Sequence, residues 1–501
     1  MKKESITDTV VKNTAYNLAA TILNRIGTLV FTIVIARILL PEAFGLYNLT
    51  ISIALILLTV GEFGINSSLI TYISNNLAKN NPRKAAAYLY YLRKLKFLLI
   101  SSSSVLLIGL SYPIANFVFH KPQIFLPLLI SSFYLFVIGL DSFYSALLFA
   151  VDKVKYVCYK EIVYQLARIG FVIVIFLLIA KTFYVSGVML SLILASVIAL
   201  IFSIIWLKNK APEIFEKSKI KIDKKGLLKF TGYLAIANLS VIFFSYVDII
   251  MIGIFIPDAS YAGFYRAASS LAISIAGLLS FAYVLLPAFS KVTKERLDSS
   301  FNKVIKYTVV FSIPASFGLA FLGNYFIRAI YGYEYLPATL PLYFLSFVII
   351  ETTMTAVYSS ILTSKGKPAL FAKILIYATL INIVLNFILI LSLLRISNLW
   401  AITGAAIATF LSRYFYLFGL ARVSKKSLGL KLERPNILKP LTASLVMTFV
   451  LIGFKLIVKD MNLISGIIGV LIGIIVYFAV LFLIKGISRE DFKLVNSLLK
   501  R

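Results

Sequence analysis

The sequence predicts an all-α polytopic membrane protein of fourteen transmembrane helices, and three observations carry that prediction. Of its 501 residues, 60% are hydrophobic and only 14% are charged, and the mean hydropathy is +0.95. Apolar runs recur from end to end, each long enough at ~20 residues to cross a hydrocarbon core ~30 Å thick. The basic residues gather in every second gap between these runs. A soluble chain of this size would divide into several domains with charged surfaces. A transmembrane barrel would show short alternating segments, and the sequence has none.

Bounded by charges and turn formers, the spans fall at 14–37, 49–73, 97–119, 124–151, 161–180, 186–207, 230–255, 267–288, 307–327, 340–363, 371–393, 398–421, 437–458 and 463–484. An even number returns both termini to one side, and the excess of Lys and Arg in short cytoplasmic loops says which side. With a cytoplasmic N-terminus, 39 of the 50 basic residues fall in cytoplasmic segments and 8 outside, leaving Arg25, Arg168 and Arg413 within spans. A wrong count would scramble this alternation. The expected location is the cell membrane, multi-pass, with both termini cytoplasmic. The opening MKKESITDTVVKNTA lacks the apolar core of a cleaved signal peptide.

The net charge of +30 therefore faces the cytoplasm and anionic membrane lipids, and nucleic acid is an unnecessary partner. Cys158 is the only cysteine, so no disulfide forms within the chain. His120 is the only histidine, which removes most transition-metal sites and most imidazole acid–base chemistry. No Walker A motif is present, so this chain does not use ATP. No metal and no cofactor are expected, and the chain is expected to act as a monomer.

Two interruptions resemble each other. Arg37-Ile-Leu-Leu-Pro-Glu-Ala-Phe-Gly-Leu-Tyr47 and Ile256-Pro-Asp-Ala-Ser-Tyr-Ala-Gly-Phe-Tyr-Arg266 each place a Pro and an acid before Gly-x-Tyr, between two apolar runs. Upstream, Thr14, Tyr16 and Ala20 match Thr231, Tyr233 and Ala237 at an offset of 217. The prolines match at 216 and the Gly-x-Tyr at 218. The motif is then the outer turn between the first two helices of a six-helix unit present twice. Six is even, so the copies are parallel repeats about an axis along the membrane normal. The predicted organisation is an N-lobe at 1–207, a basic cytoplasmic linker at 208–229 ending in an amphipathic helix, a C-lobe at 230–424, and two added helices with a cytoplasmic tail at 425–501. Parallel repeats of this kind build transporters whose site lies between the lobes near the midplane.

The first motif, with its flanks ARILLPEAFGLYNL, resembles the first-loop signature of the polysaccharide-export flippases in the multidrug/oligosaccharidyl-lipid/polysaccharide superfamily. Tyr331-Gly-Tyr-Glu-Tyr335, Ser364-Lys-Gly-Lys-Pro368, Asn382-x-x-x-Asn386 and Gly404-Ala-Ala-Ile-Ala-Thr409 are similar to that family's later motifs, in order. The resemblance implies a flippase carrying a lipid-linked oligosaccharide, on a polyprenyl phosphate or diphosphate, from the cytoplasmic to the outer leaflet by alternating access. It serves cell-surface polysaccharide or glycan assembly, and it is not an enzyme.

Ionisable residues deep in spans cost at least ~2.5 kcal/mol each and usually face a cavity or a partner. Arg25 lies eleven residues into the first span and twelve before Arg37. The resemblance implies that it binds the phosphate head group, since related lipid II flippases use cavity arginines including one in the first helix. The alternative is an ion pair with Glu62 or Asp141. Arg266 could meet a diphosphate at the outer surface or serve as an interfacial anchor. Arg168 and Arg413 are close enough to the cytoplasmic ends to snorkel. Glu62 (mid-helix within Gly61-Glu-Phe-Gly64), Asp141, Asp248 and Glu351 are candidates for H+ or Na+ coupling or for pairing within a cavity. The 40 Phe and 29 Tyr are the lipid-facing and interfacial aromatics of any such bundle. Two rival functions remain. A cation-coupled multidrug extruder of the same superfamily would suit Asp248 and Glu351, but Arg25 would repel its substrate. A glycan polymerase or ligase would need a polar outer loop, and every outer loop is short.

Overall fold

The structure, a computed structural model, describes residues 6–216, 218, 220–280, 294–458 and 463–487. Within them the chain is helical, with no strand. The helices are α1 (Ile6–Glu62), α2 (Ile65–Ala78), α3 (Pro82–Pro113), α4 (Phe125–Ala150), α5 (Val154–Leu178), α6 (Tyr184–Lys210), α7 (Lys224–Phe255) and α8 (Ser260–Leu279). They continue with α9 (Lys294–Ile330), α10 (Thr339–Leu345), α11 (Val348–Ser364), α12 (Pro368–Leu394), α13 (Asn398–Leu428), α14 (Arg434–Ile457) and α15 (Leu463–Leu483). Twelve helical stretches among the described residues are long and apolar enough to cross a membrane, and the pair Tyr333–Leu345 and Val348–Ser364, bent by 45°, makes a further crossing. One of the twelve, Lys12–Ala78, has 67 residues, roughly 100 Å of helix at 1.5 Å per residue and enough for two crossings. Counted so, the bundle reaches the fourteen expected spans.

Several boundaries differ from those expected, for example α3, which begins at Pro82 instead of 97, and two stretches near the N-terminus differ most in kind. The outer turn at 38–48 is almost entirely helix, since the only break in α1 is Leu40, at φ 59° and ψ 173°. Pro41 restarts the helix at once. A proline has no N–H to waste in a first turn, and Glu42 behind it suits the positive end of the helix. The second copy works similarly, with the Asp258 carboxylate accepting from the Ser260 N–H at 2.8 Å where α8 begins. The shared Pro-acid pattern is thus helix-start chemistry. The expected span 49–73 is also broken, at Phe63 and Gly64 with φ 44° and 70°. Glu62, expected at mid-helix, is instead the last residue of α1.

The chain divides into two compact units, residues 1–263 and 264–501. In the first unit the two repeated motifs abut. A Cβ on Gly45 would lie 1.9 Å from the Ala259 carbonyl oxygen, and one on Gly263 would lie 2.2 Å from that of Pro41. The two turns therefore approach backbone to backbone, which only glycine allows here. Gly45→Ala is expected to cost about 1–3 kcal/mol through overpacking, read as a lowered melting temperature in detergent. An unchanged melting temperature would mean that the turns do not touch. Beside them, buried Lys121 donates from Nζ to the carbonyls of Gly253 at 2.7 Å and Ile256 at 2.9 Å, capping the end of α7. Burial holds this ammonium below the usual lysine range, with Asp258 pulling the other way.

Among its described residues, the basic segment 208–229 holds no separate amphipathic helix. α6 runs through Lys210, a short turn spans Pro212–Phe215, and α7 starts at Lys224. Asp223 caps α7, its Oδ1 accepting from Gly226 N–H at 2.9 Å. Within the second unit, α14 and α15 pack on α9 through Val310, Leu322, Met447, Leu451 and Tyr477. The Tyr477 hydroxyl donates to the Val310 carbonyl at 2.7 Å. Gly404 lets α13 lie against the Leu389 backbone of α12, the close approach that small residues permit between membrane helices.

Candidate substrate-binding site

In the first unit, polar side chains of α1 face polar side chains of α5. Asn24 donates to Glu161 Oε1 at 2.8 Å, and Gln165, one turn further along α5, donates to the same oxygen. Arg168 donates to Thr28 Oγ1 at 3.1 Å, with its guanidinium 4.6 Å from the Phe31 ring centre and 5.2 Å from that of Tyr164. At 6% exposure, Arg168 does not snorkel. It is a buried strut between α1 and α5. Arg25 is on the same arm of α1, partly exposed. No hydrogen bond or ion pair from it is found among the described residues, so it pairs with neither Glu62 nor Asp141.

Those two carboxylates have other partners. Lys160 donates to Asp141 Oδ2 at 2.8 Å and to Ser145 Oγ at 2.9 Å, and the side chains of Lys160 and Asp141 are 9% and 4% exposed. Lys96, fully buried on α3, donates to Glu62 Oε1 at 3.0 Å. The same oxygen accepts from Asn66 at 2.9 Å and from Ser142. Glu62 thus stands at the break between α1 and α2, with its side chain 23% exposed. The break also brings α2 against α7. A Cβ on Gly64 would lie 2.7 Å from the Thr231 carbonyl oxygen, and the Ser68 and Thr231 hydroxyls are 2.9 Å apart. Asp248 is buried on α7 in this same unit.

The second unit holds the remaining candidates. Arg413 donates to Glu351 Oε2 at 3.2 Å, with side-chain exposures of 15% and 1%, so Arg413 is also paired inside its unit instead of snorkelling. Arg266, in the second turn of α8, is close enough to Tyr331 to act on its hydroxyl electrostatically, against the rise that burial imposes there. Tyr331 and Tyr335 are buried with ring centres 5.5 Å apart, and Phe264 meets Tyr335 edge-on.

Lys96, Lys160 and Glu161 were not singled out by the sequence, which assigned both lysines to cytoplasmic loops. The signal was available for Lys96. Asn81-Pro82 is a helix start, and fourteen residues beyond it a side chain lies ~20 Å along the helix, far from the loop. Among the described residues no three His, Cys, Asp or Glu side chains gather as a metal site would require.

The family described as polysaccharide biosynthesis protein matches residues 10–293, more than half of the chain. The chain belongs to that family. It is 26% identical over 322 residues to the probable low-salt glycan biosynthesis flippase Agl15 of Haloferax volcanii, a match spanning 64% of this chain and 66% of that relative. Among solved structures it is similar to the lipid II flippase MurJ in an inward closed conformation, with a TM-score of 0.70 at 20% identity, covering 93% of this chain and 97% of that one. An inward-facing multidrug resistance MATE transporter of the MOP superfamily aligns with a TM-score of 0.58 at 15% identity, covering 83% and 96%. At these identities the solved structures speak for the fold. This member of the polysaccharide biosynthesis family is a multi-pass membrane protein whose first unit carries an arginine, Arg25, with no ion-pair partner among the described residues.

Proposed function

We propose that the chain flips a polyprenyl-phosphate- or diphosphate-linked oligosaccharide from the cytoplasmic to the outer leaflet of the cell membrane. The observation that carries this reading is Arg25. It is a permanent cation on a helix long enough to span the membrane, partly exposed, with no partner among the described residues, while Glu161, which accepts from the adjacent Asn24, and Glu62 and Asp141 elsewhere in the unit already have theirs. A free guanidinium in a low-dielectric setting offers planar, multidentate donors to a phosphate. Family membership and a relative named as a glycan flippase support the substrate class. The lobes at 1–207 and 230–424 would rock about the Gly45–Gly263 contact, with both termini cytoplasmic, and Arg266 would receive the phosphate at the outer end.

The lipid tail needs a different surface. In the second unit, α8, α9, α14 and α15 enclose an almost wholly apolar groove of about 430 Å³, lined by Ile275, Phe311, Leu319, Met447, Ile474 and Phe478 among others. It would shelter part of the polyprenyl chain while the glycan crosses among polar side chains. Coupling to H+ or Na+ falls to Glu62, whose side chain is 23% exposed while those of Asp141 and Glu351 are 4% and 1% exposed. No catalytic step is assigned. The MATE likeness keeps a multidrug extruder as the second reading, but its cationic cargo would meet Arg25 with no free acid beside it.

Binding tests the proposal without requiring transport. Purified protein is expected to melt several degrees higher with a polyprenyl-diphosphate oligosaccharide than with the uncharged polyprenol. Equal shifts with both would remove phosphate recognition from the account.

A further inference from the structure

A second cavity lies in the first unit, away from Arg25. It measures about 430 Å³ and is formed by one face of α3 and the segment before α7, with Tyr90, Tyr91, Lys94, Leu98, Ile220 and Lys224 in its lining. Its size suits a small ligand or a lipid head group. Its chemistry is split. Lys94 and Lys224 bring two ammonium groups, the second 5.5 Å from the centre of the Tyr91 ring. Outside the lining, Arg93 holds its guanidinium 5.8 Å from the Tyr90 ring centre. Asp223, the acid next to Lys224, is engaged in capping α7. On the other side Tyr90 and Leu98 are 59% and 56% exposed, and Phe97 beside them is 56% exposed. Cations adjoining an exposed apolar strip of α3, beside the start of α7, match an amphipathic anion lying in the interface. They do not match a soluble one.

We propose that this cavity binds the head group of an anionic phospholipid, with Lys94 and Lys224 on the phosphate and Tyr90 and Leu98 against the glycerol and first acyl carbons. The segment 208–229 joins the two proposed lobes. A lipid held here therefore ties that segment to α3 and places the region at the anionic leaflet. The site is independent of the transport reading, because it needs only the membrane and the orientation in which this end faces the cytoplasm. An anionic lipid gains ~1 kcal/mol per basic residue near the surface, so two lysines give a preference of roughly tenfold or more over a zwitterionic lipid.

The test places a reporter in the cavity. Tyr90→Trp in nanodiscs would be titrated with phosphatidylglycerol or phosphatidylcholine carrying brominated acyl chains, with the quenching of the parent protein subtracted. Half-quenching by the brominated phosphatidylglycerol is expected at roughly one-tenth of the mole fraction needed for the phosphatidylcholine. Adding Lys94→Gln and Lys224→Gln should abolish that preference, while Lys94→Arg with Lys224→Arg should keep it. Equal quenching by both lipids, or a preference that survives the glutamine pair, would overturn the proposal. Relief of quenching by millimolar inorganic phosphate would also overturn it, since the site would then belong to a soluble anion.

Discussion

Replacing Arg25 with alanine is expected to lower the initial rate of lipid-linked oligosaccharide translocation by roughly ten- to a hundredfold. Charge-assisted hydrogen bonds contribute ~1.5–3 kcal/mol, and each ~1.4 kcal/mol is a factor of ten. The melting temperature of the unliganded protein should hardly move, because Arg25 makes no hydrogen bond or ion pair among the described residues. Arg25→Lys should recover part of the rate, since the charge remains while the planar fork is lost. This combination separates recognition from support. Arg168→Ala, by contrast, should cost stability, because Arg168 on α5 reaches Thr28 and the Phe31 ring on α1. Rates and melting temperatures of the three variants, measured side by side, check the assignment.

The largest loss of stability is expected from Lys160→Met. Lys160 and Asp141 are almost fully buried, and removing one member of such a pair leaves a charge with no compensation, costing about 3–5 kcal/mol. Asp141→Asn combined with Lys160→Met should recover most of that loss, because the pair as a whole contributes far less than either charge costs alone. Reversible unfolding in bicelles, carried through the double-mutant cycle, reads the interaction directly. A double variant as unstable as the single one would mean that the pair is not isolated, and that Glu161 or Ser145 shares the charge.

Much of the architecture was legible because the bilayer imposes it. Span length follows from hydrocarbon thickness, and the helix starts and turn chemistry at one shared offset were the basis for expecting a repeat. The Pro-acid-Gly-x-Tyr pattern foretold a turn at each copy, but not that Gly45 and Gly263 would meet. That contact joins positions 218 apart, and no local rule reaches across such a distance. The break after Glu62 was half visible. Two glycines flanking an acid suggested close packing, whereas Phe63 and Gly64 adopt left-handed backbone and end the helix.

The polar interior was the least legible part. Snorkelling was inferred for Arg168 and Arg413 from depth alone, but a partner within reach satisfies a guanidinium at the same depth. Lys96 and Lys160 were counted with the loops because charge-rich sequence at a helix start looks like loop. Their partners lie 34 and 19 residues away, on other helices, so the pairing exists only once the bundle is assembled. The depth of Arg25 along its helix was readable from its position; that it has no partner among the described residues was not, because that depends on where every other charge has gone.

The measurement closest to the central claim is translocation by the wild-type chain in proteoliposomes. A fluorescent polyprenyl-diphosphate oligosaccharide would be supplied in one leaflet, and its position read by a membrane-impermeant quencher. Protein-dependent transfer to the other leaflet is expected, inhibited by an unlabelled phosphorylated lipid-linked oligosaccharide and not by the neutral polyprenol. Failure to move several such lipids, together with expulsion of a cationic dye under an ion gradient by the same preparation, would contradict that claim.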